Sequence, residues 1–348
     1  MKVLHLLASN KYSGAENVVC QIIDMFKGET EMVYCSINGQ IESTLNDKGI
    51  KFYGLNSLSK KEIRKVVSEF RPDIIHAHDV KASIVASKFH KQCKIISHIH
   101  GNDERKMGKL TLKSFLYNIV SKKLEKIIWV SNSCLDQYYF KGKVKDKSVI
   151  LHNIIDIEKL YSKVEEDNKD YDFDICYLGR LAEIKNPLRA LEIMRLSIQR
   201  NSSIKCAIVG DGILSAECKN YINENNLQGN IKMFGFVKNP YKILKNSKVL
   251  LMSSINEGTP MAIIEAFSLG VPLVSTKVDG AVELIDNNLM GYLYDTNQEA
   301  VDAIFNILGS NKKDICNYLK DFSRVYNDID KYKVSIRQIY CEENNNEK

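Results

Sequence analysis

The chain has 348 residues, 44% of them hydrophobic and 26% charged, with only 18 Gly and 5 Pro. That composition excludes a disordered, collagen-like or low-complexity polymer, and the length suits two packed domains. The net charge of +6 comes from basic residues without interleaved aromatics, which argues against nucleic-acid binding.

Met1–Ala8 carries one lysine and no small-residue cleavage site, so it reads as a first strand and not as a signal peptide. No run of 18 apolar residues predicts a transmembrane helix. From there, β-branched apolar runs alternate with amphipathic segments, the signature of repeated β-α units and parallel sheets. Strands are predicted at 3–8, 31–37, 51–55, 73–78, 94–100, 126–131 and 148–153, with helices such as 15–26 and 60–70 between them. The polar stretch Val164–Asp172 breaks the pattern and reads as a linker. A second series of strands follows at 173–179, 204–210, 231–236, 248–254, 272–276 and 291–294, with helices at 187–200 and 260–269. Beyond 297 only helical patterns remain, ending in a polar, frayed tail at 342–348. The expected architecture is α/β, two Rossmann-like doubly wound domains facing a cleft. Residues 1–166 form the first domain, 167–325 the second, and 326–348 a C-terminal helix that packs back on the first. Nine cysteines, odd in number and without a C-x-x-C pair, read as buried thiols of a reducing cytoplasm.

Between Asp103 and Lys126 stand seven basic residues against three acidic ones, interleaved with Leu110, Leu112, Phe115, Leu116, Ile119, Val120 and Leu124. Such a segment either docks on an anionic membrane surface or is a solvated helix with its apolar stripe in the core.

Ligands of open parallel sheets bind at the carboxyl ends of strands, where helix N-termini are exposed. Six such ends carry chemistry here. After the first strand, Gly14 opens a helix and can offer its N–H to a phosphate, although the G-x-G-x-x-G fingerprint of a nicotinamide enzyme is absent. Two strands end in paired histidines, His76 and His78, then His98 and His100. Residues two apart share a face, but a catalytic zinc normally needs a third protein ligand, so no metal site is predicted. Gly179-Arg180 through Lys185 leaves a strand with one planar fork and one point charge, a pair suited to two adjacent phosphates. Gly210 and Gly212 allow close backbone approach of a base. Finally, a strand runs through Ser254 into Glu257, Gly258, Thr259, Pro260 and Met261, with Thr259 as N-cap, Pro260 at the first helical position and Glu265 one turn further. Glu257 and Glu265 can bracket one ligand from loop and helix.

The run from Glu257 through Glu265, Gly270-Val271-Pro272, Val278-Asp279-Gly280, Glu283-Leu284-Ile285 and Gly291-Tyr292-Leu293 resembles the retaining GT4-type glycosyltransferases of GT-B fold. The resemblance implies that Glu257 contacts hydroxyls of the donor sugar and Glu265 the nucleotide ribose. Arg180 and Lys185 would hold the donor diphosphate in place of a metal, and no D-x-D pair stands at a strand end. His100, the histidine before a glycine, would lie by the sugar. Gly14, Gly179, Gly210, Gly258, Thr259, Pro260 and Met261 fall on the donor side, and His76, His78 and Asn153 on the acceptor side. Where many relatives have Asn-Gly, this chain has Asn153-Ile154. The implied function is a retaining, metal-independent and cofactor-independent transferase. It would move sugar from a nucleotide diphosphate donor to a glycan or lipid-linked acceptor in surface polysaccharide or glycoconjugate synthesis, in the cytoplasm or at the inner face of the membrane. A sugar-nucleotide epimerase of the same fold, or a non-catalytic nucleotide-sugar-binding protein, are the alternatives.

Overall fold

A computed structural model describes residues 1–11, 14–101, 107–257 and 260–341. The chain divides into two compact units, residues 1–153 together with those from Ile329 onward, and Ile154–Asp328.

The first unit is built on a seven-stranded sheet of β1 (Lys2–Leu6), β2 (Glu31–Ile37), β3 (Phe52–Leu55), β4 (Ile74–His78), β5 (Lys94–Ile99), β6 (Lys126–Trp129) and β7 (Ser148–Ile150). All neighbours run parallel in the order β3-β2-β1-β4-β5-β6-β7, so the order reverses between β1 and β4. These strands read as unbroken apolar runs because both faces are covered by helices. Val3, Leu4, Ile75, Ile95, Ile127 and Trp129 are all fully buried. The helix Lys60–Phe70 shows how local sequence sets boundaries. Ser59 accepts the Glu62 N–H at its start, and Arg71 takes a left-handed φ of 52° at its end. The C-terminal helix Ile329–Cys341 belongs to this unit, where Lys333 donates to Glu29 at 2.6 Å, Arg337 pairs with the same carboxylate, and Ile336 and Tyr340 are buried.

The second unit holds β8 (Phe173–Leu178), β9 (Cys206–Val209), β10 (Ile231–Gly235), β11 (Ser247–Met252), β12 (Leu273–Thr276) and β13 (Gly291–Tyr294). They form a parallel sheet in the order β10-β9-β8-β11-β12-β13, reversing between β8 and β11. Here the helix Pro187–Arg200 begins with Pro at its first position. The helix Asn297–Leu308 opens on a capping box between Thr296 and Glu299.

Four expectations need correction. The helix Ile157–Glu165, assigned from sequence to the first domain, goes with the second unit. It buries Leu160 and Val164 there, and Tyr161 donates to the Ser268 carbonyl at 3.1 Å. The polar stretch that followed is therefore a lead-in to β8 within one unit, not a linker. Not all cysteines are buried: Cys341 is exposed, and Cys93 and Cys316 are half-buried. The helix after β11 starts at Met261, with Pro260 in the cap position at ψ 124°. An extended ψ at Pro260 is what moves the helix start one residue on. The predicted frayed tail, 342–348, lies outside the described residues, as do Gly258 and Thr259.

Candidate active site

In the second unit the loops leaving β8 and β11 are neighbours because the strand order reverses between them. They are stitched together by backbone-directed bonds. Ser253 Oγ donates to the carbonyls of Asn186, at 2.7 Å, and Lys185, at 3.1 Å, and the Ile255 N–H donates to the Ile184 carbonyl at 2.8 Å. Tyr177 Oη adds a bond to the Arg180 carbonyl at 3.3 Å. Asn186 makes the corner with a left-handed φ of 48°, a conformation Asn tolerates better than most residues.

This stitching brings two of the sequence-predicted residues into direct contact. Lys185 Nζ pairs with Glu257 Oε1, which also accepts from Ser254 Oγ at 2.7 Å. Ser254 is in turn fixed by Thr276, whose hydroxyl donates to its carbonyl at 2.7 Å. Arg180 sits in the same loop, exposed, and its guanidinium has no acidic partner among the described residues. Beside that pair the loop carries two further exposed charges, Arg180 and Glu183, so what it offers an arriving anion is the planar fork of Arg180 and not a net charge.

Glu265 projects from the buried helix Met261–Ser268 and is itself only 9% exposed. Tyr241 Oη donates to its carboxyl at 3.2 Å. Burial pushes the carboxyl up to about 7, with the Tyr241 bond and the charge of Lys163 opposing the shift. Gly210 and Gly212 have a requirement of their own. A Cβ on Gly210, at φ +144°, would lie 1.9 Å from the Gly179 carbonyl oxygen, and one on Gly212 would lie 2.2 Å from that of Leu181. Packing of the β8 and β9 loop ends is thus sufficient reason for both glycines. Gly14 opens its helix with nothing within 4 Å of where a Cβ would stand.

The first unit presents a different edge. Register pairs His5 with His76 and His78 with His98, so β1, β4 and β5 carry five imidazoles side by side, counting His100 just past the end of β5. His5, His76, His78 and His98 are fully buried. His76 Nδ1 bonds to Tyr340 Oη at 2.8 Å, His5 Nδ1 to His78 Nε2 at 3.0 Å, and His78 Nδ1 to His100 Nε2 at 2.8 Å. Burial holds every ring neutral: it lowers His5 to about 3 and His100 to about 4, and pulls His76, His78 and His98 well below the ordinary range. Two trios, His5 with His76 and His78, and His78 with His98 and His100, each place one ring nitrogen per residue within 4.8 Å of the others. The third nitrogen ligand that the sequence lacked is therefore present.

Asp79, next to His78, has a left-handed φ of 67°. A non-glycine residue in that region costs of order 1–3 kcal/mol unless its surroundings hold it. Here the carboxyl accepts the His100 backbone N–H at 3.1 Å, and the Asp79 carbonyl accepts from Ser83 at 2.8 Å. Burial raises the Asp79 carboxyl, with the His100 N–H pulling the other way. Asn153 is buried at the last residue of the unit's continuous segment.

Against known proteins, the model of the glycosyltransferase family 4 matches residues 18–159, and that of the glycosyl transferases group 1 matches 159–324. The chain belongs to the GT4-type glycosyltransferases. A UDP-Gal:alpha-D-GlcNAc-diphosphoundecaprenol alpha-1,3-galactosyltransferase of Escherichia coli is 26% identical over 343 residues, covering 88% of this chain and 87% of that one. An uncharacterized glycosyltransferase of Methanocaldococcus jannaschii is 29% identical over 236 residues, 62% of this chain and 58% of its own length. The solved structure of Anabaena HepE in complex with UDP superposes with a TM-score of 0.83 at 20% identity, over 97% of this chain and 99% of that one. The architecture of this GT4-type chain is therefore GT-B, two Rossmann-like units.

Within that glycosyltransferase, sequence reading found the residues that carry charge and missed those that hold them. His5 gave no signal, because only strand register reveals that it stands beside His76. Asp79 follows His78 directly, but its strained backbone is invisible in a sequence. Tyr340 and Tyr241 come from helices remote in sequence from the groups they bond.

Proposed function

We propose that this GT4-type enzyme transfers the sugar of a UDP-sugar, with retention, to a hydroxyl of a glycan carried on a lipid diphosphate. The observation that carries the reading is the β8–β11 loop pair, with an exposed Arg180 guanidinium that has no acidic partner among the described residues and its Lys185–Glu257 contact. The names of its relatives agree: one acts from UDP-Gal on a diphosphoundecaprenol-linked sugar, and HepE was solved with UDP.

In this mechanism Arg180 clamps the diphosphate as a fork, and Lys185 turns from Glu257 to the same phosphates. As the anomeric C–O bond breaks, its electron pair passes to the β-phosphate oxygen, where both cations stabilise it. The acceptor hydroxyl attacks from the face being vacated, and its proton goes to that phosphate oxygen. Glu257, released by Lys185 and still held by Ser254, orients the sugar hydroxyls. Glu265 accepts from the ribose, and His100 bonds a sugar hydroxyl. Charge stabilisation by preorganised cations supplies most of the rate, so no metal or other cofactor is assigned a role.

A surface of the first unit supports action at a membrane. The helix Leu112–Ser121 is capped by Thr111 and buries Ser114, Tyr117 and Ser121. Four of its apolar side chains or their neighbours point outward, Leu112 at 75% exposed, Phe115 at 47%, Ile119 at 46% and Leu110 at 63% just before it, while Tyr117 and Val120 pack on the core. The stripe is thus divided: Val120 and Leu124 meet the core beside Tyr117, and Leu110, Leu112, Phe115 and Ile119 face outward. Lys109, Lys113, Lys122 and Lys123 flank the apolar residues in sequence. Exposed leucine and phenylalanine beside lysine is the composition of an interfacial helix on anionic lipid. Arg105 and Lys106, of the same basic run, lie outside the described residues.

The test combines a panel of nucleotide sugars with synthetic acceptors. A UDP-sugar should give the largest thermal stabilisation, and product from a lipid-diphosphate glycan should keep the donor's anomeric configuration by NMR. Inverted product, or turnover of donor to an epimer without acceptor, refutes the proposal.

A further inference from the structure

The five imidazoles are not equivalent. His76 stacks on His78 with ring centres 4.4 Å apart, and His98 on His100 at 4.2 Å. The contacts from His5 to His78 and from His78 to His100 are of another kind. Their ring centres lie 5.3 and 5.1 Å apart with planes 26° and 21° from parallel, while the bonded nitrogens are 3.0 and 2.8 Å apart. In both pairs the excess of centre distance over nitrogen distance is little more than an ångström per ring, the centre-to-vertex distance of an imidazole. The two nitrogens therefore lie on the line between the centres, and the rings meet edge to edge. That is the geometry of an N–H···N hydrogen bond.

A neutral imidazole has one N–H and one bare nitrogen. Three such rings in series allow two consistent arrangements, with every N–H directed toward His100 or every N–H directed toward His5; a mixture sets two protons or two lone pairs against each other. The ends decide between them. His5 Nε2 and His100 Nδ1 are both buried with no hydrogen-bond partner among the described residues. Either direction leaves one terminal N–H without a partner among the described residues, but His5 is fully buried whereas His100 is half-buried, and an orphaned donor costs more the deeper it lies. Directing them toward His100 puts the terminal N–H on the ring that feels the negative charge of Glu16 and whose backbone N–H is held by the Asp79 carboxyl at 3.1 Å.

We propose that His5, His78 and His100 form one hydrogen-bonded imidazole chain, each ring protonated on Nδ1, so that His100 is held as a hydrogen-bond donor by the positioning residues His78 and His5. The consequence for transfer rests on the assignment of His100 to a sugar hydroxyl, to which it would donate. Histidine tautomers are set by the bond at the other nitrogen, and His78 supplies that bond here.

The experiment is long-range proton–nitrogen NMR of the full chain labelled with 15N-histidine, the signals assigned by single substitutions, with metal content of the same sample measured alongside. The expected result is a protonated Nδ1 and a bare Nε2 on all three rings, and loss of the single-tautomer pattern at His100 in His78→Leu. In that variant kcat should fall about tenfold to a hundredfold while donor KM stays near the wild-type value. The wild-type spectrum is decisive even if the variant does not fold, since Nε2–H on His100 overturns the chain. Stoichiometric zinc lost on removing His78 also overturns it, because a nitrogen bound to metal neither donates nor accepts. The expected tautomers with unchanged turnover in His78→Leu would leave the chain standing and remove the assigned role of His100.

Discussion

The two sheets end in opposite chemistry. At the reversal point of the second, between β8 and β11, the side chains are charged and partly exposed: Arg180 has no acidic partner among the described residues and Lys185 balances Glu257. At the reversal point of the first, between β1 and β4, they are imidazoles that burial keeps neutral. A single fold plan thus gives one charged edge and one neutral edge. The difference arises because the charged groups sit on loops beyond the strands, where water still reaches them, whereas the histidines sit within the last strand residues, where it does not.

The comparison breaks first at Arg180. Arg180→Ala should lower turnover about 10²-fold or more, as loss of one preorganised stabiliser does, and UDP release assays showing wild-type rates would remove the charged edge from catalysis.

Glu265 sharpens the comparison through pH. Its carboxyl is protonated below about 7 in the folded chain, so the ionised form that best accepts ribose hydroxyls is lost on acidification. Binding of a UDP-sugar should weaken about tenfold between pH 8 and pH 6, and Glu265→Gln should flatten that slope. Calorimetric affinities that run parallel in the two proteins would sink the assignment. Stability moves the other way. Because the folded value lies above the ordinary 4.5, the stability this group contributes is present below that pH and lost as pH rises through about 7. Glu265→Gln should therefore raise the melting temperature at pH 8 and leave it unchanged at pH 4.

On the first unit, Phe115→Asp should cut sedimentation with anionic vesicles about tenfold, since a buried aromatic is worth about 1.5–3 kcal/mol, without changing transfer to a water-soluble acceptor. Equal sedimentation of both proteins would refute membrane docking by that helix. The smallest effect is expected at His98, whose two ring nitrogens are buried without hydrogen-bond partners among the described residues. Replacing an unsatisfied polar ring by a similar apolar volume is near neutral or stabilising, so His98→Leu should melt within a few degrees of the wild type or above it. A large loss would mean that those nitrogens are bonded in solution.

Sequence and structure agree most closely on the strands, because parallel strands covered on both faces are continuous apolar words: Glu31–Ile37 and Gly291–Tyr294 have the predicted ends. The candidate site residues Arg180, Lys185 and Glu257 stand out because they follow such strands, and Glu265 because it lies in the helix that comes next. What escaped were properties of pairs. Nothing in the one-dimensional pattern says that Lys185 meets Glu257, or that β1 lies against β4 and brings His5 to His78. Nor does helical periodicity say which face of Leu112–Ser121 is inside, since an apolar stripe looks the same whether it meets core or lipid.

The helix Ile329–Cys341 completes the first unit although the whole of the second unit precedes it in the chain. During synthesis the usual N-to-C order of domain completion is therefore inverted. The second unit is contiguous and can close as soon as Asp328 clears the ribosome. The half made earliest must wait for the last-made helix, whose Lys333, Arg337 and Tyr340 dock on Glu29 and His76. A ribosome stalled shortly before Ile329 would carry one finished lobe and one still lacking its closing element, exposing apolar surface that chaperones would recognise.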